Sequence, residues 1–351
     1  MKIISLFNHK GGVSKTTTSY NLGWMFANLG KKVLLVDADA QCNLTGIVLG
    51  DNDKNLFSYY NDKSTRTIYD GLADAFGFNT DFKNLVEDGM TPTPTKNNNL
   101  YIIAGHIDFA DFDGQITTGI LQSKSLPSMK KNVGAIYNLI KNTSIKNNID
   151  IVIVDLSPSI SMTNLSILMS SDYFIIPTTP DFYCLQAIKG LPKTFDKWIS
   201  YSNEFKDDKI MPKKNPKLLG FILQNYRIYS SKKKQNSNNS DEMTKGYKEW
   251  FDRIKNEISN NLVPFLQKRE MIIDEKRFKE YIKDEQPYTL KSIQDFNSPM
   301  AYSQIACKPV FELTKDDINL SGHALDVELK QVEKAKNLYE TLAKSILGLI
   351  D

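Results

Sequence analysis

The residues with the clearest chemical potential form one run near the start of the chain: His9-Lys10-Gly11-Gly12-Val13-Ser14-Lys15-Thr16-Thr17. A glycine-containing loop lets successive backbone N–H groups converge on an anion, and the positive end of a following helix reinforces them. In that setting Lys15 supplies a point charge to β- and γ-phosphates, and the Thr16 hydroxyl is offered to Mg²⁺. Three carboxylates stand out because each ends or follows an apolar run: Asp37, Asp39 and Asp155. The chemistry implied is phosphate binding with acidic groups close to a metal.

Elements of suitable length flank these residues. Lys2–Phe7 is an apolar run too short for a helix and reads as a buried strand, as does Lys32–Asp37. Between them Lys15–Leu29 has helical spacing and is closed by Gly30. Strand, loop, helix and strand in this order form a βαβ unit with a right-handed crossover. Further strands are expected at Leu100–Ala104, Ile149–Asp155, Asp172–Pro177 and Leu218–Leu223. Helices are expected near Ser161–Ser170, Phe182–Tyr201, Asp241–Ile258 and Ala324–Leu347. Nearly continuous β-branched strands are those covered on both faces, so the fold class is α/β: a mostly parallel twisted sheet with helices on both faces. Residues 51–99 read as polar and irregular, with Thr91–Thr95 an extended loop, and Ser230–Ser240 is low in complexity. One domain over 1–351, with insertions at about 51–99 and 228–242, accounts for this organisation.

Composition narrows the class. Of 351 residues, 41% are hydrophobic and 24% charged, ordinary for a globular chain and unlike a disordered one. Cys42, Cys184 and Cys307 are scattered and form no CxxC pair, which argues against a disulfide framework or a zinc or iron–sulfur site. No apolar run reaches the roughly 18 residues of a membrane span, and no secretory leader is visible. A cytoplasmic location is expected. The net charge is only +3, yet between Ala187 and Lys255 there are 16 Lys/Arg against 8 Asp/Glu, a local excess of +8. Such a patch suits an anionic partner. Lys189, Lys193 and Lys197 share one face of a helix, and Arg227 and Lys232, Lys233 and Lys234 follow the strand expected at Leu218–Leu223.

The loop departs from the common G-x-x-x-x-G-K-[ST] form. Its Lys10-Gly11-Gly12-x-x-Lys15-Thr16 resembles the deviant Walker A motif of the ParA/MinD superfamily. Val36–Thr45 is similar to that family's D-x-D-P-Q-x-N-x-T motif, with Ala40 in place of proline. Ile153–Ser159 is similar to its Walker B strand and D-x-x-P-S turn, and Tyr302–Leu313 to the G-K-P turn before its last helix, with Cys307 in place of glycine. Ser14 also replaces a glycine, so altered loop geometry is expected rather than loss of nucleotide binding. The match is densest over 1–50 and 149–190.

The resemblance implies an ATPase using ATP and Mg²⁺. In it Lys10 reaches across a homodimer to the partner's nucleotide, Asp39 orients the attacking water, Asp37 and Asp155 sit near the metal with Thr16, and the loop from Lys10 to Thr17 holds phosphates. Adenine contacts fall nearest Asn225 and Val263-Pro264. The ParA branch implies ATP-dependent, non-specific DNA binding, a ParB-like adaptor that triggers hydrolysis, a nucleoid-associated location, and partition or positioning of plasmid, chromosome or other cargo. Relatives that also repress transcription carry an N-terminal helix-turn-helix domain, which is not expected here. The C-terminal end is poor in cations and acidic at its terminus, so a core-docking helix is expected rather than a membrane anchor. The alternatives are a switch acting on a protein or membrane partner, and a small-molecule kinase or synthetase on the same scaffold.

Overall fold

The computed structural model describes residues 1–50, 59–62, 66–78, 80–226, 245–283, 288–296 and 298–351, with backbone alone at 225–226. Eight strands form one sheet: β1 (Lys2–Leu6), β2 (Val33–Ala38), β3 (Thr93–Pro94), β4 (Leu100–Ile103), β5 (Ile151–Leu156), β6 (Tyr173–Thr178), β7 (Lys217–Tyr226) and β8 (Thr289–Gln294). Their order is β3-β4-β2-β5-β1-β6-β7-β8, and only the β3–β4 pair is antiparallel. The central strands β1, β2 and β5 are almost wholly buried, as their apolar runs require.

Two helical layers cover the sheet. One holds α1 (Lys15–Asn28), α2 (Asn43–Leu49) and the C-terminal α12 (Gly322–Ile350). The other holds α4 (Phe112–Leu121), α5 (Lys130–Lys146), α6 (Met162–Met169) and α7 (Phe182–Asp207). Towards the β8 edge lie α8 (Lys245–Glu257), α9 (Val263–Lys268), α10 (Glu275–Tyr281) and α11 (Ser298–Ala306). On α12 the residues Val332, Ala335, Tyr339, Leu342, Ala343, Ile346, Leu349 and Ile350 are buried, so its apolar stripe faces the core. Among the described residues no helix is long and apolar enough to cross a membrane.

Two expectations need correction here. The stretch 51–99 is not uniformly irregular: Ile68–Ala73 forms α3, capped reciprocally by Thr67 and Asp70, and Thr93-Pro94 pairs with Ile102 and Tyr101 as an edge strand. Proline is tolerated there because an edge position leaves its missing N–H unneeded. The sheet's last strand is β8, which the sequence reading missed; Val263-Pro264 therefore lies in a helix that precedes it.

Candidate functional site

Strand register creates the site. Leu6 of β1 and Asp37 of β2 both pair with Asp155 of β5, so the loop after β1 and the two carboxylates meet at the carboxyl end of the sheet. The loop is fixed from below by Asn8, which is 1% exposed: its Nδ2 donates to the Pro177 carbonyl at 2.8 Å and its Oδ1 accepts the Lys10 N–H at 2.9 Å. Phe7 packs on Trp198 and Phe195 of α7, with ring centroids 5.3 and 6.1 Å away, which ties the loop's base to that helix.

Gly12 has φ 71° and Ser14 φ 57°. Ser14 thus adopts the left-handed backbone that glycine takes without strain, and the loop keeps the turn despite the substitution. Cys307, the other residue standing in for glycine, does the same at φ 47°, with its Sγ against the Gly50 carbonyl. Both departures preserve backbone shape at the cost of local strain.

Gly11, Gly12, Val13, Ser14, Lys15, Thr16, Thr17 and Asp39 line one groove of about 470 Å³, completed by Gln41, Asn43, Ile47, Pro158 and Gln304. Lys15 is 7% exposed and points its ammonium at its own loop, donating to the Asn8 carbonyl at 2.9 Å and the Lys10 carbonyl at 3.4 Å. Burial pulls its pKa down, against the opposing pull of Asp155 and Asp39. Beside it, burial and the Lys15 charge hold the His9 imidazole below its ordinary value.

Behind the loop the acidic groups are packed away from water. Asp37 accepts the Thr45 amide at 2.8 Å and the Thr45 hydroxyl at 2.7 Å on Oδ2, yet burial still pushes its pKa up to about 6. Asp155 is 1% exposed; burial, then the Asp37 charge, push it well up, countered by hydrogen bonds from Thr16 and Ser19 and by the Lys15 charge. Asp39 Oδ1 accepts the Gln41 N–H at 3.0 Å, which fixes this carboxylate at the groove. Two buried carboxylates next to a threonine hydroxyl form a hard oxygen donor set. That chemistry fits Mg²⁺ held with substrate phosphates.

Lys10 does not line the groove. Its Nζ lies 2.8 Å from Thr179 Oγ1 and 2.5 Å from Asp181 Oδ2. Asn225 stands at the end of β7, where only the backbone is described. Pro264 is exposed in the first turn of α9 and does not line the groove. Lys189, Lys193 and Lys197 are all exposed on α7, opposite its buried Cys184, Ile188, Leu191, Phe195 and Trp198. Arg227, Lys232, Lys233 and Lys234 lie outside the described residues.

Sequence reasoning missed Gln304 and Gly105. Gln304 reaches the groove from α11. Gly105 follows β4, and a Cβ there would stand 2.9 Å from Asp37 Cγ and 3.1 Å from Cys42 Sγ. Its signal was a glycine directly after a buried strand.

A parallel sheet with a lysine-threonine loop at a helix N-terminus and two buried carboxylates on neighbouring strand ends defines a P-loop nucleotide-binding protein. The profile of the AAA-domain family matches residues 1–206. The chain belongs to that family and is a P-loop ATPase of the ParA/MinD type. It is 31% identical over 196 residues to the sporulation initiation inhibitor protein Soj of Bacillus subtilis, covering 55% of this chain and 64% of Soj. The chain thus spans less than two thirds of that curated relative's length. Its fold is that of protein DIP2308 from Corynebacterium diphtheriae, with TM-score 0.64 at 18% identity over 88% of this chain and 97% of the other. It also matches the Cyanothece McdA(D38A)–ATP complex, with TM-score 0.57 at 16% identity over 96% and 97% of the two chains.

Proposed function

We propose that this protein is an ATP-switched, ParA-like dimer that binds DNA non-specifically and moves or positions a cargo such as a plasmid or chromosome, with an adaptor protein triggering hydrolysis. Lys15 exchanges its two loop carbonyls for β- and γ-phosphate oxygens, aided by the loop N–H groups at the start of α1. Thr16, Asp155 and Asp37 would hold Mg²⁺, which supplies positive charge next to the transferring phosphoryl group. Asp39, held at the groove by the Gln41 amide, orients the attacking water. Lys10 crosses to the partner's phosphates, so ATP itself joins the two copies. A site of this kind works by positioning and charge, with little covalent chemistry from the protein.

The observation that carries the DNA reading is the exposed Lys189, Lys193 and Lys197 face of α7, a helix whose buried face packs on the residue preceding the phosphate loop. The test is a salt titration of duplex DNA binding, in ATP, by wild type and by the Lys189→Gln, Lys193→Gln, Lys197→Gln triple variant. Each lost phosphate contact flattens the slope of log K against log salt by about 0.9. With both copies contributing, the flattening should reach about 5. Identical curves would remove this surface from the account and point to a protein partner.

A further inference from the structure

We infer that Asp181, together with Thr179, is a positioning residue that holds Lys10 within its own subunit and so competes with the partner's nucleotide for it. This deepens the reading above and rests on Lys10 crossing the dimer.

The geometry is a closed polar triangle. Lys10 Nζ donates to Thr179 Oγ1 at 2.8 Å and to Asp181 Oδ2 at 2.5 Å, and Thr179 Oγ1 donates its own proton to the same Oδ2 at 2.6 Å. The second carboxylate oxygen is used elsewhere: Asp181 Oδ1 accepts the Cys184 N–H at 2.9 Å and caps α7. One side chain therefore faces the phosphate loop with one oxygen and the lysine-bearing helix with the other. Burial pushes the Asp181 carboxyl up, but Lys10, Thr179 and the Cys184 amide outweigh it and hold it ionised.

The strength suits a latch rather than a lock. The Lys10 and Asp181 side chains are 21% and 36% exposed, so solvent screens the pair and its contribution is modest. The backbone of Lys10 is independently tied through its N–H to Asn8 Oδ1, so the side chain can swing out while the loop stays in place. When it leaves, Asp181 keeps its cap, and α7 need not unwind. Nucleotide must therefore outbid this contact twice per dimer before the two copies close.

Asp181→Asn separates the two jobs, because asparagine caps a helix about as well as aspartate while carrying no charge. The measurement is the dimer dissociation constant, by sedimentation in Mg²⁺ with a slowly hydrolysed ATP analogue. A partly exposed pair corresponds to about a threefold factor per latch, so Asp181→Asn should lower the constant about tenfold. In a Lys10→Ala background the same change should do nothing. An unchanged or raised constant for Asp181→Asn, or an equal shift without Lys10, overturns the latch. If Lys10→Ala alone leaves the constant unchanged, the crossing lysine itself fails instead. The contact also has a readout that needs neither nucleotide nor dimer. In the nucleotide-free protein, acylation of Lys10 by an amine-reactive reagent, mapped by peptide mass against Lys189, should speed up several-fold in Asp181→Asn. No change in that ratio overturns the cis contact.

Discussion

Lys15→Ala has opposite consequences for the empty and the loaded protein, and both follow from where the ammonium sits. It is nearly buried, and two backbone carbonyls receive it. Removing it forfeits two charge-assisted hydrogen bonds but also ends the cost of holding a cation out of water, the burial that lowers its pKa. The two effects oppose each other, so the empty fold should change by no more than about 1 kcal/mol. With ATP the balance differs. At 100 times the dissociation constant, a ligand stabilises the fold by about 2.7 kcal/mol. For 351 residues, the average unfolding entropy per residue sums to about 0.7 kcal/mol per degree. Wild type should therefore melt about 4 °C higher with Mg·ATP at that concentration. A variant weakened a hundredfold retains about 0.4 kcal/mol, a shift of less than about 1 °C. Thermal unfolding followed by fluorescence, with and without Mg·ATP, reads both numbers. The reasoning fails if Lys15→Ala keeps the full ATP shift, or if the empty variant loses about 10 °C and shows the lysine to be structural.

Gly105→Ala places a methyl group against Asp37 and Cys42, so it should cost about 1–3 kcal/mol and reduce the Mg²⁺-dependent part of the ATP shift. Unfolding curves with and without Mg²⁺ check this, and unaltered curves contradict it. Burial pushes the Asp317 carboxyl up, but Lys308, 2.9 Å from both oxygens, and the Thr314 amide and hydroxyl outweigh it and hold it below the ordinary range. Its folded pKa being depressed, the stability it contributes is present at neutral pH and is lost as pH falls below about 4 through that value. Asp317→Asn should therefore cost about 1–2 kcal/mol at pH 7 and flatten the acid limb of a stability–pH profile. A profile parallel to wild type would refute this.

The legible parts of the molecule are those where local pattern and tertiary role agree. Buried central strands announce themselves as β-branched runs, and the six expected strands are present within about three residues at their ends. The phosphate loop was readable because its glycines and lysine serve the local backbone and the ligand together. What escaped reading is set by tertiary pairing. The β8 strand, Thr-Leu-Lys-Ser-Ile-Gln, is a polar edge strand that is only half buried, and it offers no continuous apolar run. Two-residue β3 is too short to carry any pattern, and α7 runs to Asp207 through Pro192, past the expected stop at Tyr201. Asp181 reads in sequence only as a helix N-cap; its hold on Lys10 joins residues 171 positions apart.

The central claim is that nucleotide, through Lys10, decides whether one copy or two are present. Light scattering on the full chain with no nucleotide, with Mg·ADP and with Mg·ATP tests it most directly. A monomer is expected in the first two conditions and a dimer in the third. Lys10→Ala should lose most of that dimer while still binding Mg·ATP as a monomer, since its side chain lies outside the groove of its own subunit. One mass in all three conditions, or a full dimer from Lys10→Ala, would contradict it.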